Sequence, residues 1–588
     1  MKHLLFFIVA NFLFIASSAQ SKYWVQHIKY GDVQEGKGVI VKPDYYVLVG
    51  SYGSYPDLFW QGYVTIMDIQ GNVISNKEYQ NPNGTFVFQN IKRSDWGYYC
   101  TGYQYTPIPD EIQQPILLQY NALTEIENLV PVGSQTLKPS GRSVIKSIDE
   151  NFIIVGIASD PITAAWQPYA IKTDTLGNTI WEQVYEGYPL LNWLTDIIPV
   201  PNEEAYYVIG TVGWNVYNGD ILVAKIRDTD GQMVWDTIYD FGTTFWDADS
   251  KDVSGRLIKS KYGGNIAGCA IQGFVNEYYK GTVVKFDDQF DISWYNDNLF
   301  YNCSAATIDE LPNGDIITSG CNDPQGEFAQ MQIIKLSGID GSIKWRRSYG
   351  GSWHDYAYDL ALTPDGGFLV AGRQDTIIPG APVGHASAWV LKLNCMGLLT
   401  QPQAAFTHYP IDNHAIQFIN QTQYAYPDSI DGGYYIWDFG DGAPPYLCGQ
   451  GYEPCTGSTL THQYALPGAY TATLTAIVCT DTSVVQHTFS TQAVSIPQAP
   501  PLNPPLASEG GSYSVVVYPN PTQNLLHLQD WQNMAAFNLY SLSGKVVCSQ
   551  NPVTNSQITI AHLPIGLYIA EAQYKNGATL RQKLLIHR

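Results

Sequence analysis

The chain has 588 residues, several times the usual domain length of roughly 100–200, so more than one folding unit is expected. Only 14% of residues are charged and 13% are aromatic, with 52 Gly and 34 Pro; this excludes a disordered chain and disfavours a helical one, because Tyr, Trp, Thr and Val favour strands while Gly and Pro punctuate turns. The net charge of −22 is uneven, since residues 513–588 carry five basic and two acidic side chains, and the strongly acidic remainder repels phosphate backbones and argues against nucleic acid as a partner.

In chain order, residues 1–19 read as a signal peptide: Lys2, an apolar run Leu4–Ala16, and small residues Ser17 and Ala19 before the cleavage point. No other stretch is long and apolar enough to span a membrane, so the mature chain is expected to be exported without a transmembrane segment. Nine cysteines without a CxxC fit an oxidising compartment and give no support to zinc-ribbon or thioredoxin chemistry.

From there to residue 400 an apolar strand ending in Gly recurs, at Gly50, Gly102, Gly156, Gly210, Gly268, Gly320 and Gly372. A second strand follows each Gly, then a tight turn such as LGN or TDGQ, then a strand bearing Trp181, Trp235, Trp294 or Trp345. Units of about 53 residues with four strands each predict β-propeller blades, which bury their faces only against neighbouring blades. The seventh unit lacks its Trp-bearing strand. Residues 21–31 supply a match, with Trp24 and Tyr30-Gly31 corresponding to Trp345 and Tyr349-Gly350. The reading is a seven-bladed propeller over 20–400, closed by its N-terminal strand, which leaves no exposed sheet edge at the junction. Cys303 and Cys321 flank one hairpin and are expected to form a disulfide. The repeat resembles the tandem β-propeller repeats of secreted bacterial proteins. Its turns also resemble the tryptophan-docking motif of quinoprotein dehydrogenases, which carry eight blades and often a vicinal cysteine pair that this sequence lacks.

Residues 401–496 change pattern. Trp437, Asp438, Phe439, Gly440, Asp441 and Gly442 are followed by His462, Tyr464, Pro467, Gly468 and Tyr470. This order resembles the PKD domain, which implies an immunoglobulin-like β-sandwich. Asp438 and Asp441 can be read as calcium ligands, as a catalytic pair, or as acceptors for turn amides; the last is the simpler reading. Asp230 and Asp365 suggest calcium loops or plain turns, and their recurrence at turn positions of the repeat makes the turn the simpler reading. Cys448 and Cys455 are close enough to pin an inserted loop, with Cys479 an alternative partner for either.

Residues 497–512 hold five prolines and read as a semi-rigid linker. Beyond it, Tyr518, Pro519, Asn520 and Pro521, then Gly544 and Lys545, Gly566 and Tyr568, and Lys583 match in order and spacing the type A sorting domain of the type IX secretion system. That resemblance implies that residues 513–588 form a small β-sandwich addressing the chain, through the periplasm, to the type IX machinery for release or attachment at the outer cell surface.

No HExxH, GxSxG or P-loop is present, and the histidines are scattered. No catalytic, cofactor-binding or metal-binding residue is assigned; calcium alone is left open by the turn carboxylates. The all-β architecture is therefore expected to serve a secreted or cell-surface, non-enzymatic binding or adhesion protein, its propeller presenting a face to an extracellular glycan or protein. The alternatives are a propeller enzyme (hydrolase, lyase or quinoprotein-like) with its site in the axial channel, and a structural surface-layer component. Convergent carboxylates or histidines in the channel favour an enzyme; an exposed aromatic patch on one rim favours binding.

Overall fold

The computed structural model describes residues 22–491 and 517–586, apart from 55–58, 96, 108–111, 122–125, 160–164, 189–191, 216–217, 242–252, 273–278, 302–304, 324–327, 377–384, 412–413, 426–432, 450, 456–457, 519–524, 529–530, 542–544, 565 and 578. The signal peptide expected at 1–19 and the linker expected at 497–512 lie outside the described residues. The chain divides into two compact units, Met1–Ala493 and Val494–Arg588. Among the described residues the structure is all-β, with one short 3-10 turn at Trp531–Asn533, and no helix is long and apolar enough to cross a membrane.

Among the described residues, seven four-stranded antiparallel sheets precede residue 400. Six are meanders in chain order, the first being Val33–Val41, Tyr45–Gly53, Gln61–Asp68 and Val73–Tyr79. The seventh joins Asp355–Leu362, Phe368–Thr376 and His385–Leu393 to Trp24–Ile28, which lies antiparallel to His385–Leu393 with Trp24 opposite Lys392. The middle strands are buried on both faces and so read as continuous apolar runs, whereas the outer strand Val73–Tyr79 is exposed except at Tyr79. Apolar cores lie between successive sheets. Ile40, Val49, Phe86 and Phe88 join the first to the second, and Val39, Leu48, Leu369 and Val390 join the first to the seventh. The sheets thus form a closed β-propeller whose first strands are innermost.

The recurring glycine has a local cause. In each sheet the innermost strand shifts register opposite it, for example between Gly36 and Gly38 against Gly50, and between Ala357 and Asp359 against Gly372. Such a bulge pushes a carbonyl toward the neighbouring strand. A Cβ at Gly102 would sit 1.8 Å from the Val87 oxygen, and one at Gly372 1.8 Å from that of Tyr356. The repeat tryptophans bridge sheets instead of closing their own. Trp181 lies over Gly231 of the next sheet and donates to the Asp228 carbonyl at 2.8 Å, and Trp294 lies over Gly341. Trp24 lies over Gly71 in the same way and donates to the Ile69 carbonyl at 3.2 Å, so the N-terminal strand docks on the first sheet as other outer strands dock on theirs.

The PKD sandwich packs a three-stranded sheet (Phe406–Pro410, Ala415–Asn420, Thr459–Gln463) on a four-stranded one (Tyr446–Gly449, Tyr434–Asp438, Ala469–Val478, Asp481–Ser490). Trp437 fills its core, 5.2 Å from Phe406 and 5.7 Å from Phe418. Cys448 and Cys455 form a disulfide. Cys479 bonds neither of them; it pairs with Cys395 at the end of the propeller. Sequence spacing gave no hint of this, because the two cysteines are 84 residues apart and meet only when the sandwich folds back on the seventh sheet. Cys321 is disulfide-bonded, while Cys303 lies outside the described residues. One core cluster runs unbroken from Leu360 and Trp389 of the propeller to Trp437 and Leu474 of the sandwich. A half-buried charge group completes the joint: Lys22 lies 2.8 Å from Asp481, which also accepts from the Tyr23 hydroxyl, and Lys392 lies 2.9 Å from Asp365.

The C-terminal unit has its own core of Leu526, Phe537, Leu539, Ile558 and Leu584 between a three-stranded and a four-stranded sheet. Tyr518 lies in its first strand, Tyr568 is buried with its hydroxyl donating to the Pro564 carbonyl at 2.8 Å, and Lys583 is exposed opposite Ile569. Gly566 begins a central strand, and the Lys545 amide donates to Ser541 Oγ at 3.3 Å. Pro519, Asn520, Pro521 and Gly544 lie outside the described residues.

Candidate functional site

The innermost strands carry, just past each bulge, residues that face the propeller axis, and several of these join in one belt. Asp196 accepts from Ser143 Oγ at 2.6 Å and from the Leu257 amide at 3.1 Å, with Lys92 Nζ 3.5 Å away. Asp359 accepts from the Val39 amide at 2.9 Å and pairs with Arg256 at 2.6 Å; Arg256 also reaches Thr307 at 3.5 Å. These partners come from all seven sheets. Burial works to raise the Asp196 pKa, but Lys92, Arg256 and the two donors hold it below the ordinary carboxylate value. Asp196 and Asp359 are therefore engaged as structural ties. Asp309 differs: burial raises its pKa, and it borders a cavity of about 360 Å³ lined by five of the inner strands at their far ends.

The face on which the inner strands begin is chemically different. His354, Tyr356 and Tyr358 alternate into the strand Asp355–Leu362 and so share one side. Their rings stack at 6.0 and 6.2 Å. Phe328 and Trp353 extend the row outward, 4.9 Å apart and 39% and 36% exposed. The inner end is fixed by charge. Lys37 Nζ lies 3.9 Å over the Tyr358 ring, and Glu35 binds Lys37 at 2.7 Å, Arg373 at 3.3 Å and the Tyr358 hydroxyl at 3.2 Å. Burial opposes ionisation of Glu35, but Lys37 and Arg373 outweigh it and lower its pKa. The result is a half-exposed aromatic row running from rim to axis, with Tyr356 and Tyr358 on the strand and Phe328, Trp353 and His354 on the adjoining loops, able to meet flat apolar faces that carry hydroxyl groups.

On the same face, a cleft of about 350 Å³ opens between the second and third sheets, lined by Gln89, Tyr103, Gln113, Lys138, Arg142 and Trp166. None of these residues, nor those of the aromatic row, was singled out in the sequence. Lys37, Gln89, Arg142 and Tyr358 occupy the same bulge position of four repeats, thirteen or fourteen residues before the repeat Gly. A position that changes chemistry while its surroundings repeat was the available signal.

The PKD carboxylates are used locally. Asp438 accepts from the Gly440 amide at 2.9 Å, and Asp441 from the Ala443 amide at 3.1 Å and His462 at 2.7 Å. Gly440 and Gly442 hold positive φ in this turn, Tyr464 donates to the Phe439 carbonyl at 3.0 Å, and Tyr470 to that of Leu466 at 2.8 Å. Pro467 and Gly468 form the turn before Ala469–Val478, and the Gly468 amide donates to Thr491 Oγ1 at 2.9 Å. Asp230 and Asp365 likewise serve their own turns. Among the described residues no group of three His, Cys, Asp or Glu side chains is placed to hold a metal ion.

Residues 516–587 match the model of the secretion system C-terminal sorting domain, and residues 400–494 that of the PKD domain. The chain is a β-propeller and PKD protein with a type IX sorting tail. No curated protein matches the sequence. Similar solved structures include quinohemoprotein alcohol dehydrogenase ADHIIG from Pseudomonas putida HK5 (10% identity, 75% of each chain, TM-score 0.37). The Dos1 propeller is similar over 64% of this chain and 97% of that one (10% identity, TM-score 0.36). An ulvan lyase of a polysaccharide lyase family is similar over 68% and 91% (9% identity, TM-score 0.35). Likenesses this distant carry no functional inference. The sorting domain marks the protein for export to the cell surface or the medium.

Proposed function

We propose that this exported protein binds an extracellular glycan on the propeller face where the inner strands begin. The observation that supports this most is the aromatic row Phe328–Trp353–His354–Tyr356–Tyr358, exposed at the rim and anchored at the axis by Lys37, Glu35 and Arg373. Sugar rings stack on such rows, and the strand that carries Tyr356 and Tyr358 limits the ordering entropy at the inner end. The PKD sandwich, sharing a core and a disulfide with the sixth and seventh sheets, acts as a fixed extension of that body. The tail delivers both to the type IX machinery. The test is a glycan array probed with the mature chain and with a Trp353→Ala/Tyr356→Ala variant. Signals on a defined saccharide class that fall at least tenfold in the variant support the reading; signals of equal strength in both overturn it.

A second reading, a hydrolase or lyase working in the axial channel, is favoured by Asp309. Its pKa is raised chiefly by burial, and it lies on a cavity beside Arg256 and Asp359, the setting of a general acid. Release of reducing ends from an array-positive glycan, lost in Asp309→Asn, would replace binding by turnover.

A further inference from the structure

We infer that the cleft between the second and third sheets is an acidic-sugar subsite, in which Arg142 takes the carboxylate of a uronic acid residue. This deepens, and rests on, the glycan-binding reading of the same face. Three inner-strand bulges of the propeller hold cations. Lys37 is paired with Glu35 at 2.7 Å and Arg256 with Asp359 at 2.6 Å. Arg142 has no carboxylate partner among the described residues; its guanidinium lies 5.5 Å over the Trp193 ring. It stays accessible to solvent although protein atoms crowd it, and that crowding lowers its pKa, with Tyr103 acting in the opposite sense. In a chain of net charge −22, an arginine that no acid among the described residues reaches, in a formed cleft, is suited to an external anion.

The surroundings select the kind of anion. The cleft, of about 350 Å³, is at the small end of the range for ligand sites. Trp166, 43% exposed, offers a ring face on one side, and Tyr103, Gln89 and Gln113 offer hydroxyl and amide groups suited to sugar hydroxyls. Lys138 at the edge adds a second cation. A planar guanidinium takes a carboxylate through two parallel hydrogen bonds; a tetrahedral sulfate can accept the same pair, so the comparison with dextran sulfate decides between them. Repulsion from the acidic body is screened beyond about 8 Å at physiological ionic strength, so the local cations dominate at contact. A single-sited apolar ligand would leave Arg142 desolvated and unpaired, which disfavours it.

The experiment measures binding of the mature chain to polygalacturonate, dextran sulfate and neutral dextran by calorimetry at 0.15 M salt, for wild type, Arg142→Met and Arg142→Lys. Methionine keeps most of the side-chain volume and removes the charge, and a melting temperature equal to wild type confirms an intact fold. The expected result is binding of polygalacturonate that falls at least tenfold in R142M and less in R142K, with any dextran binding unchanged. Polygalacturonate bound equally by wild type and R142M, or not bound by wild type, overturns the inference. Binding of dextran sulfate in preference to polygalacturonate overturns the carboxylate assignment. Array signals that depend on Trp353 and Tyr356 while R142M changes nothing would leave the glycan-binding reading standing and remove only this subsite.

Discussion

Replacing Asp196 by alanine perturbs the axial belt at its most connected point. The carboxylate is 2% exposed and is held by Ser143, the Leu257 amide and Lys92, with the Arg256 charge nearby. Removing one member of a buried, hydrogen-bonded charge group costs about 3–5 kcal/mol, because its partners stay buried without compensation. For a unit this large each kcal/mol moves the melting temperature by about 2 °C, giving an expected drop of roughly 5–10 °C. Asp196→Asn should fall less, since the amide keeps the volume and one acceptor. Thr307→Val, at the 3.5 Å edge of the belt, should fall least, by about 1 kcal/mol. The Asp196 pKa is depressed in the fold, so its contribution is complete above the unfolded value of roughly 3.9 and is lost as pH falls through the lower folded value. The gap between wild type and D196A should therefore be widest near neutrality and close in acid. Calorimetric melting of the mature chain at several pH values measures both effects. A D196A melting temperature equal to wild type at pH 7 would refute the structural role of the belt and reopen the channel as a site of chemistry.

Other outcomes follow from the same geometry. The Cys395→Ser/Cys479→Ser variant opens an 84-residue loop, worth up to about 4.5 kcal/mol by chain entropy, and should melt lower than wild type; an unchanged melt would mean the shared core alone fixes the PKD sandwich. Asp220 has its pKa raised to about 6, mainly by burial and then by Asp240, so stability should decline as pH rises from about 4 through 6. Asp220→Asn should remove that decline, and parallel melting curves for the two proteins over this range would contradict it. Deleting residues 513–588 should leave the protein in the periplasm; surface delivery of the truncated chain, seen by fractionation, would contradict the role of the tail.

Much of the fold is written locally. The repeat glycines and tryptophans mark backbone positions where a Cβ meets a carbonyl and where an indole must cover a neighbouring turn, as at Gly102 and Trp181. Such requirements act over a few residues, so they recur in the sequence at fixed spacing. The Trp437–Gly442 turn and the tail are legible for the same reason. The belt, the Cys395–Cys479 bond and the aromatic row were not legible, because each joins segments that meet only in three dimensions. Asp196 collects partners from Lys92, Ser143 and Leu257. Phe328 meets Trp353 across two loops, and Arg142 is conspicuous only because no carboxylate among the described residues reaches it, which no sequence window can display.

The most direct measurement is a hydrogen-exchange footprint of the mature chain with and without the glycan that gives the strongest array signal. The expected result is slowed exchange at the starts of the inner strands, around Trp353–Tyr358 and Ser140–Arg142, with the far ends such as Ile91–Arg93 unchanged. Slowing confined to the PKD strands, or to the cavity beside Asp309, would contradict the assignment of this face as the binding surface.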